Sequence, residues 1–190
     1  MSMKTVILTV SCLFMLALMA TPQATPRFQV SHQTYSVPPL QLIDSDGKAV
    51  DVRDLLRGDR PFMLNFVFAS CTTICPMLTA TFAKAQQLLA DQHEPLLLVS
   101  VSIDPEQDTP QQLKKYASRY KAGANWIFLT GEVDAVETLQ KSLDAYRGSK
   151  NNHPSVILIR AHDNGPWTRL EGSIPATALV AEFRKARASR

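Results

Sequence analysis

The sequence predicts an α/β fold in which a mixed central sheet is flanked by helices. Two observations lead to this prediction. Short apolar segments bounded by turn residues, at 61–68 and 95–102, alternate with longer segments whose apolar residues recur every three or four positions. The later part of the chain, at 155–186, instead shows two strands joined by a turn and followed by a helix. Alternating strands and helices favour parallel pairing, and the closing hairpin adds antiparallel strands.

Residues 1–24 are predicted to be a signal peptide or a membrane anchor. Lys4 precedes an apolar segment at 5–20 that ends in small residues, which is the layout of a secretory signal. This segment is shorter than the roughly 20 residues that usually span a bilayer, and a retained anchor is the alternative. Cys12 lies inside the apolar segment and is interpreted as an ordinary residue of the signal or anchor. Either form places the mature protein outside the cytoplasm, and a bacterial periplasm fits best.

The composition excludes two classes of protein. The net charge is only +3 over 190 residues, and Lys and Arg are scattered rather than clustered, so nucleic acid is not a predicted partner. Outside residues 1–24 the chain has two cysteines, Cys71 and Cys75, which are too few for a disulfide scaffold. The cysteine pair is therefore interpreted from its local surroundings.

The elements follow in order from residue 25. Residues 25–39 are rich in Thr, Pro, Gln and Ser without a clear period and are predicted to be a linker, so that the domain proper occupies 40–190. The domain begins with a hairpin that turns at Asp46 and Gly47, followed by a short helix capped by Asp51. The remaining predicted elements are strands at 61–68, 95–102, 126–129, 155–160 and 167–171, and helices at 76–90, 109–121, 132–143 and 176–186.

This order, βαβ followed by ββα, is the thioredoxin arrangement, with an N-terminal hairpin extension and an additional helix and strand between the two halves. Open α/β sheets place their sites at the carboxyl ends of the strands. The loop after the first buried strand occupies this position, and it reads SCTTICP at residues 70–76. We therefore expect the functional site in this loop.

Cys71 and Cys75 stand at the start of the helix that follows. Proline disfavours the helical conformation in the residue before it, so we expect Cys75 at or near the N-cap and Pro76 at the first helical position. Unpaired backbone N–H groups and the helix dipole favour a thiolate at this point. The pair is interpreted as a redox couple, as two ligands of a soft metal such as Cu(I), or as a structural disulfide, whose short loop would stabilise little.

A metal site would need a third ligand, for which His153 is the candidate. His32, His93 and His162 lie in segments where a solvated histidine is expected. His153 precedes the strand at 155–160, in a loop that lies beside the cysteine loop in a thioredoxin-like topology. An isolated histidine in a loop is usually a surface residue, so its position alone does not assign it as a ligand.

The segments FVFASCTTICPMLTATF and SIDPEQDTP, with a lone histidine before a late strand, resemble the Sco/SenC family of copper-binding thioredoxin-like proteins. The resemblance runs from about residue 34 to residue 183. It implies an exported or membrane-anchored protein that binds copper through Cys71, Cys75 and His153. The family's histidine usually follows an aspartate, whereas Asn152 precedes it here.

The resemblance implies a metallochaperone that carries Cu(I) to an exported or membrane acceptor such as a cytochrome c oxidase subunit; binding of Cu(II) is left open. Such a protein could instead maintain the thiols of the acceptor's copper site. The alternative is an extracytoplasmic thiol-disulfide oxidoreductase, served by a thiol reductant, in which Cys71 attacks and Cys75 resolves. Whether the protein is an enzyme is therefore left open. Asp104 and Asp108 are interpreted as turn or cap residues, Asp104 also as a candidate neighbour of the site, and Met77 as a packing residue.

Overall fold

A computed structural model describes residues 28–189 and confirms the mixed α/β fold. Eight strands of this part of the chain form one sheet, with helices on both of its faces. The strands are β1 (Phe28–Gln33), β2 (Gln41–Asp44), β3 (Ala49–Asp51), β4 (Phe62–Val67), β5 (Leu97–Ser102), β6 (Trp126–Thr130), β7 (Val156–Arg160) and β8 (Trp167–Gly172), and the helices are α1 (Val52–Leu55), α2 (Ile74–Ala90), α3 (Pro110–Arg119), α4 (Val133–Ser142) and α5 (Ala176–Ala188).

The strand order is β1-β8-β7-β4-β5-β6-β2-β3. The central strands β4, β5 and β6 are parallel to one another, and the other neighbouring pairs are antiparallel. β4 and β5 are buried along their whole length because helices cover both faces of the sheet. Since parallel strands end on the same side, the cysteine loop after β4 and the acidic segment after β5 lie next to each other.

Two apolar clusters fill the two faces of the sheet. Met63 belongs to the cluster that also contains Phe82 and Phe183, while its neighbour Leu64 belongs to the cluster that contains Trp167. Successive residues of a strand point to opposite faces, so β4 contributes to both clusters. Each fully buried side chain of this size contributes about 1.5–3 kcal/mol. The cysteine loop therefore leaves a strand that is fixed on both faces.

The interpretation of 25–39 as a linker is wrong for residues 28–33, which form β1. This strand pairs antiparallel with β8, beginning with Phe28 opposite Gly172. It lies at an edge of the sheet with most of its side chains exposed, so its sequence lacks the apolar alternation of a half-buried strand. The folded domain is therefore present from residue 28 rather than from residue 40.

The predicted hairpin extension is confirmed. β2 and β3 pair antiparallel, and β2 adds the hairpin to the sheet beside β6. Gly47 has a φ of +83°, which suits glycine in the connecting turn. Within residues 28–189 no helix is both long enough and apolar enough to cross a membrane. The predicted signal or anchor at 1–24 lies outside the described residues and stays a prediction.

Candidate functional site

The cysteine loop connects β4 to α2 at the carboxyl end of the central strand. The Cys71 N–H donates to the Phe68 carbonyl at 3.1 Å and closes the loop's first turn. α2 begins at Ile74 with Thr73 as the N-cap, so Cys75 is near the N-cap as the second helical residue, and Pro76 is the third helical residue rather than the predicted first. The proline at position 76 is tolerated because the N–H groups of the first turn have no partner within the helix. Cys75 is consequently fully buried, while Cys71 on the loop is 8 % exposed.

The two cysteines are free thiols, and the backbone of Cys75 is hydrogen-bonded to the sulfur of Cys71. The Cys75 N–H donates to Cys71 Sγ at 3.4 Å, and the Thr73 hydroxyl lies 3.8 Å from the same sulfur. Burial acts to raise the pKa of Cys71. Hydrogen bonds from the Cys75 thiol, from the backbone at Cys75 and Thr73 and from the Thr73 hydroxyl outweigh burial, and the net effect lowers this pKa. The start of α2 thus favours a thiolate at Cys71.

Cys75 has the opposite environment. Burial raises the pKa of Cys75 to about 12, and its hydrogen bond to Cys71 and the negative charge of Asp108 act in the same direction. At neutral pH Cys75 is therefore protonated. Cys71 is the more acidic of the two thiols.

The acidic segment between β5 and α3 supports the cysteine loop. The Asp108 carboxylate accepts the backbone N–H of Ala69 at 3.0 Å and the Ser102 hydroxyl at 2.7 Å. Burial raises the pKa of Asp108, and these two donors act against the shift. Asp108 lies in the predicted turn, where its N–H donates to the Asp104 carbonyl, but its side chain bonds to the cysteine loop instead of capping α3, whose N-cap is Thr109. Asp104 is also buried and forms an ion pair with Lys150, in which Lys150 Nζ lies 2.6 Å from Asp104 Oδ2.

His153 lies at the same end of the sheet. The register of β4 and β7, continued beyond their ends, would place it opposite Ala69, two residues before Cys71. Both ring nitrogens are buried, and neither has a hydrogen-bond partner. Burial lowers the pKa of His153 to about 4; the nearby backbone carbonyl of Phe66 acts in the opposite direction, although its geometry falls short of a hydrogen bond to the ring. The imidazole is therefore neutral at physiological pH, and leaving its buried nitrogens unpaired costs about 1–3 kcal/mol.

The three predicted ligands do not form a finished metal site in this structure. Cys71 and Cys75 are together, and His153 lies near the end of β4, where the Phe66 backbone is close to its ring. No group of three or more His, Cys, Asp or Glu side chains between residues 28 and 189 is arranged to hold a metal ion. A site with all three ligands therefore requires a local movement.

The remaining candidates lie outside this arrangement. His93 is exposed, His32 Nδ1 is 3.4 Å from the Thr168 hydroxyl, and His162 Nε2 is 3.1 Å from a backbone carbonyl of α5. The interpretation of Met77 as a packing residue is wrong, since 56 % of it is exposed. The buried residues of α2 on either side of it are Cys75 and Leu78, and Met77 lies between them on the solvent side of the helix.

The fold and the site together define a thioredoxin-like protein with a C-x-x-x-C thiol pair at the start of the helix after a central strand. The chain belongs to the SCO1/SenC family, whose sequence model matches residues 29–186.

Two relatives illustrate the similarity in sequence. The SCO1 protein homolog of Bacillus subtilis is 40 % identical over 98 residues, which cover 51 % of this chain and 50 % of that protein. Protein SenC of Rhodobacter capsulatus is 27 % identical over 121 residues, which cover 64 % of this chain and 53 % of that protein. The matched part of the chain thus spans about half the length of these relatives.

Solved structures show the same fold. One of them is BsSco, a member of the Sco family of cytochrome c oxidase assembly proteins; a disulfide switch was identified in BsSco. It superposes with a TM-score of 0.69 at 27 % identity, covering 84 % of this chain and 98 % of BsSco. Copper-bound ScoI of Arabidopsis thaliana superposes with a TM-score of 0.68 at 24 % identity, covering 80 % of this chain and 98 % of ScoI. The latter similarity concerns the fold alone.

Proposed function

We propose that this chain is a copper metallochaperone that binds one Cu(I) ion through Cys71, Cys75 and His153. The observation that carries the proposal is the His153 imidazole, which is buried, neutral and without a partner for either nitrogen, beside a loop that holds two free thiols. A bound metal ion would supply the missing partner of one ring nitrogen. The two thiols would supply the remaining ligands.

The donor set selects a soft metal ion. Thiolates favour Cu(I) over hard cations, and Cu(I) accepts a site of three ligands. Cys71 is the first ligand because its pKa is the lower of the two. The charge of the bound ion then drives the proton from Cys75, since a coordinating thiol is deprotonated. His153 binds as the neutral imidazole and has no proton to lose at neutral pH.

Binding through all three ligands requires a local closure, in which the His153 ring turns from its buried position toward the cysteine loop. The site stays near the surface because Cys71 lies on the loop and Thr72 and Thr73 beside it are exposed. A second protein could therefore reach the ion and take it by stepwise exchange of ligands.

The acceptor would be an exported or membrane-bound protein with a soft copper site, such as a cytochrome c oxidase subunit. Membership of the SCO1/SenC family supports this choice, because BsSco belongs to the cytochrome c oxidase assembly proteins. The signal or anchor predicted at 1–24 supports an extracytoplasmic, periplasmic location. A thiol reductant would keep the pair reduced before loading, and Cu(II) is a second form to test.

The proposal is tested by titrating the reduced protein with Cu(I) against a competing chelator. We expect one tightly bound ion. Cys71→Ser and Cys75→Ser should each abolish tight binding. His153→Ala should weaken it at least about tenfold, because even the loss of a residue that only orients a ligand costs about 10–100-fold. Full affinity in both cysteine variants would reject the proposal.

A second candidate function is thiol-disulfide exchange, favoured by the contrast between the pKa values of the two thiols. The Cys71 thiolate would attack a partner disulfide, form a mixed disulfide and release one partner thiolate. Cys75 would then lose its proton and attack the Cys71 sulfur. The Cys71–Cys75 disulfide forms, the second partner thiolate leaves, and two electrons pass to the partner.

The two functions are separated by His153→Ala, which should lose copper affinity and keep the rate of exchange. Exchange is measured with the metal-free protein and a disulfide-bonded peptide as substrate. A rate no higher than that of a simple dithiol at the same concentration would reject the second candidate.

A further inference from the structure

His153 ends an exposed segment, residues 147–153, that includes the short 3-10 helix Lys150–Asn152. The hydrogen bonds within this segment are local, such as those from the Asn152 and His153 N–H groups to carbonyls three residues earlier. Among the described residues, its one side-chain hydrogen bond to a distant part of the chain is made by Lys150. On its C-terminal side His153 is fixed by the start of β7, and Lys150 makes the side-chain contact that ties the N-terminal side of this segment to the rest of the fold.

Lys150 bridges to two other loops at this end of the sheet. Its Nζ lies 2.6 Å from Oδ2 of Asp104 and 5.7 Å from the centre of the Phe68 ring. The Asp104 side chain is only 7 % exposed, whereas that of Lys150 is 41 % exposed. Removing the charge of Lys150 would leave the buried Asp104 carboxylate without its cation, so breaking this pair costs more than breaking an ordinary surface pair.

Asp104 is in turn connected to the cysteine loop. Its N–H donates to Ser102 Oγ at 3.0 Å, and the Ser102 hydroxyl donates to the Asp108 carboxylate at 2.7 Å. Asp108 also accepts the Ala69 N–H at 3.0 Å. A continuous chain of hydrogen bonds thus runs from the cysteine loop through the acidic segment to Lys150.

From this geometry we propose that Lys150 is a positioning residue for His153. Its ion pair with Asp104 holds the histidine segment against the cysteine loop, so that the imidazole needs only a short movement to join the two thiolates. The inference rests on the proposed copper function. A segment without this contact would lose conformational freedom when the metal binds, and that loss lowers affinity.

The test is a double-mutant cycle of Cu(I) affinities, measured by chelator competition on the reduced full chain. Lys150→Met keeps the length and the apolar stem of the side chain and removes its charge. We expect it to weaken Cu(I) binding by about 10–100-fold, the usual cost of losing a residue that orients a ligand. It should cause no further weakening in the His153→Ala background, because the lysine acts only through the imidazole.

Two rescue variants separate positioning from folding. Lys150→Arg retains a cation for Asp104 and should bind Cu(I) nearly as tightly as the wild type. Lys150→Met leaves the Asp104 carboxylate buried and unpaired, which alone could destabilise the chain. Combining it with Asp104→Asn removes both charges, and this pair of changes should restore the melting temperature without restoring copper affinity.

A matched control is the ion pair between Lys114 and Asp46, whose atoms are 2.7 Å apart on an exposed surface between α3 and the β2–β3 turn. Lys114→Met should leave copper affinity unchanged.

Unchanged or higher affinity in Lys150→Met would overturn the inference, and so would equal weakening with and without His153. If His153→Ala binds copper like the wild type, the three-ligand site itself fails. If His153→Ala is weaker and Lys150→Met is not, only the role of Lys150 fails.

Discussion

The two thiols should differ strongly in their reactivity toward an alkylating reagent. The thiolate is the reacting form of cysteine. Cys71 has a lowered pKa and is 8 % exposed, whereas Cys75 is fully buried and has its pKa raised to about 12. We expect iodoacetamide at pH 7 to modify Cys71 of the reduced, metal-free protein and to leave Cys75 unmodified while the chain is folded.

The expected ratio of the two rates follows from two opposing factors. A pKa of about 12 leaves roughly 10⁻⁵ of Cys75 as thiolate at pH 7, and a pKa below the ordinary 9.0 gives Cys71 at least about 1 % thiolate, a ratio of at least about 1,000. The more basic thiolate is the better nucleophile, and a Brønsted coefficient of about 0.5 returns a factor of about 30 to Cys75. Cys71 therefore keeps an advantage of at least about 30-fold before burial of Cys75 is counted.

Peptide mass spectrometry after timed quenching measures the two rates separately. Cys75→Ser retains the backbone N–H that bonds to Cys71 Sγ, so Cys71 should still react in that variant. Both cysteines should react at similar rates in urea, where the environments that separate them are lost. Modification of Cys75 as fast as Cys71 in the folded protein would refute the assignment of Cys71 as the thiolate.

Three further predictions concern stability. The pKa of His153 is about 4 in the folded chain and 6.5 for a free side chain, so the histidine of the unfolded chain is protonated first as pH falls. The metal-free protein should therefore lose stability between pH 6.5 and pH 4. In His153→Ala, up to about 3 kcal/mol of this loss in unfolding free energy should disappear, as measured by urea unfolding across the same pH range. An identical pH dependence of stability in both proteins would contradict the lowered pKa of His153. Asp108→Ala leaves the Ala69 N–H without its acceptor and should lower the unfolding free energy by about 1–3 kcal/mol. Amide exchange at Ala69 should become faster, and unchanged exchange there would show that this hydrogen bond is dispensable. A chain that begins at residue 34 lacks β1 and should unfold in less urea than one that begins at residue 28, whereas equal midpoints would restore the linker interpretation.

The central part of the fold was predictable because its physical signals are local. β4 and β5 are short apolar segments buried on both faces, and the helices between them have apolar residues at helical spacing. β1 was not predictable for the opposite reason. Its side chains are mostly exposed, and what holds it is backbone pairing with β8, whose residues lie more than 130 positions away.

The site was predictable to a similar extent. The cysteine pair was found because strand, loop, cysteines and proline are consecutive in the sequence, although α2 begins at Ile74, before the proline rather than at it. The hydrogen bond between Asp108 and the cysteine loop spans 39 residues, and the ion pair between Lys150 and Asp104 spans 46. No pattern in the sequence connects such partners, since only the folded sheet brings their loops to the same end.

The proposed copper site is tested most directly by X-ray absorption of the reduced protein loaded with one equivalent of Cu(I). The spectrum should show two sulfur ligands and one nitrogen ligand from an imidazole, and the nitrogen ligand should disappear in His153→Ala. A copper ion bound by sulfur alone in the wild type, or a nitrogen ligand that persists in His153→Ala, would contradict the site formed by Cys71, Cys75 and His153.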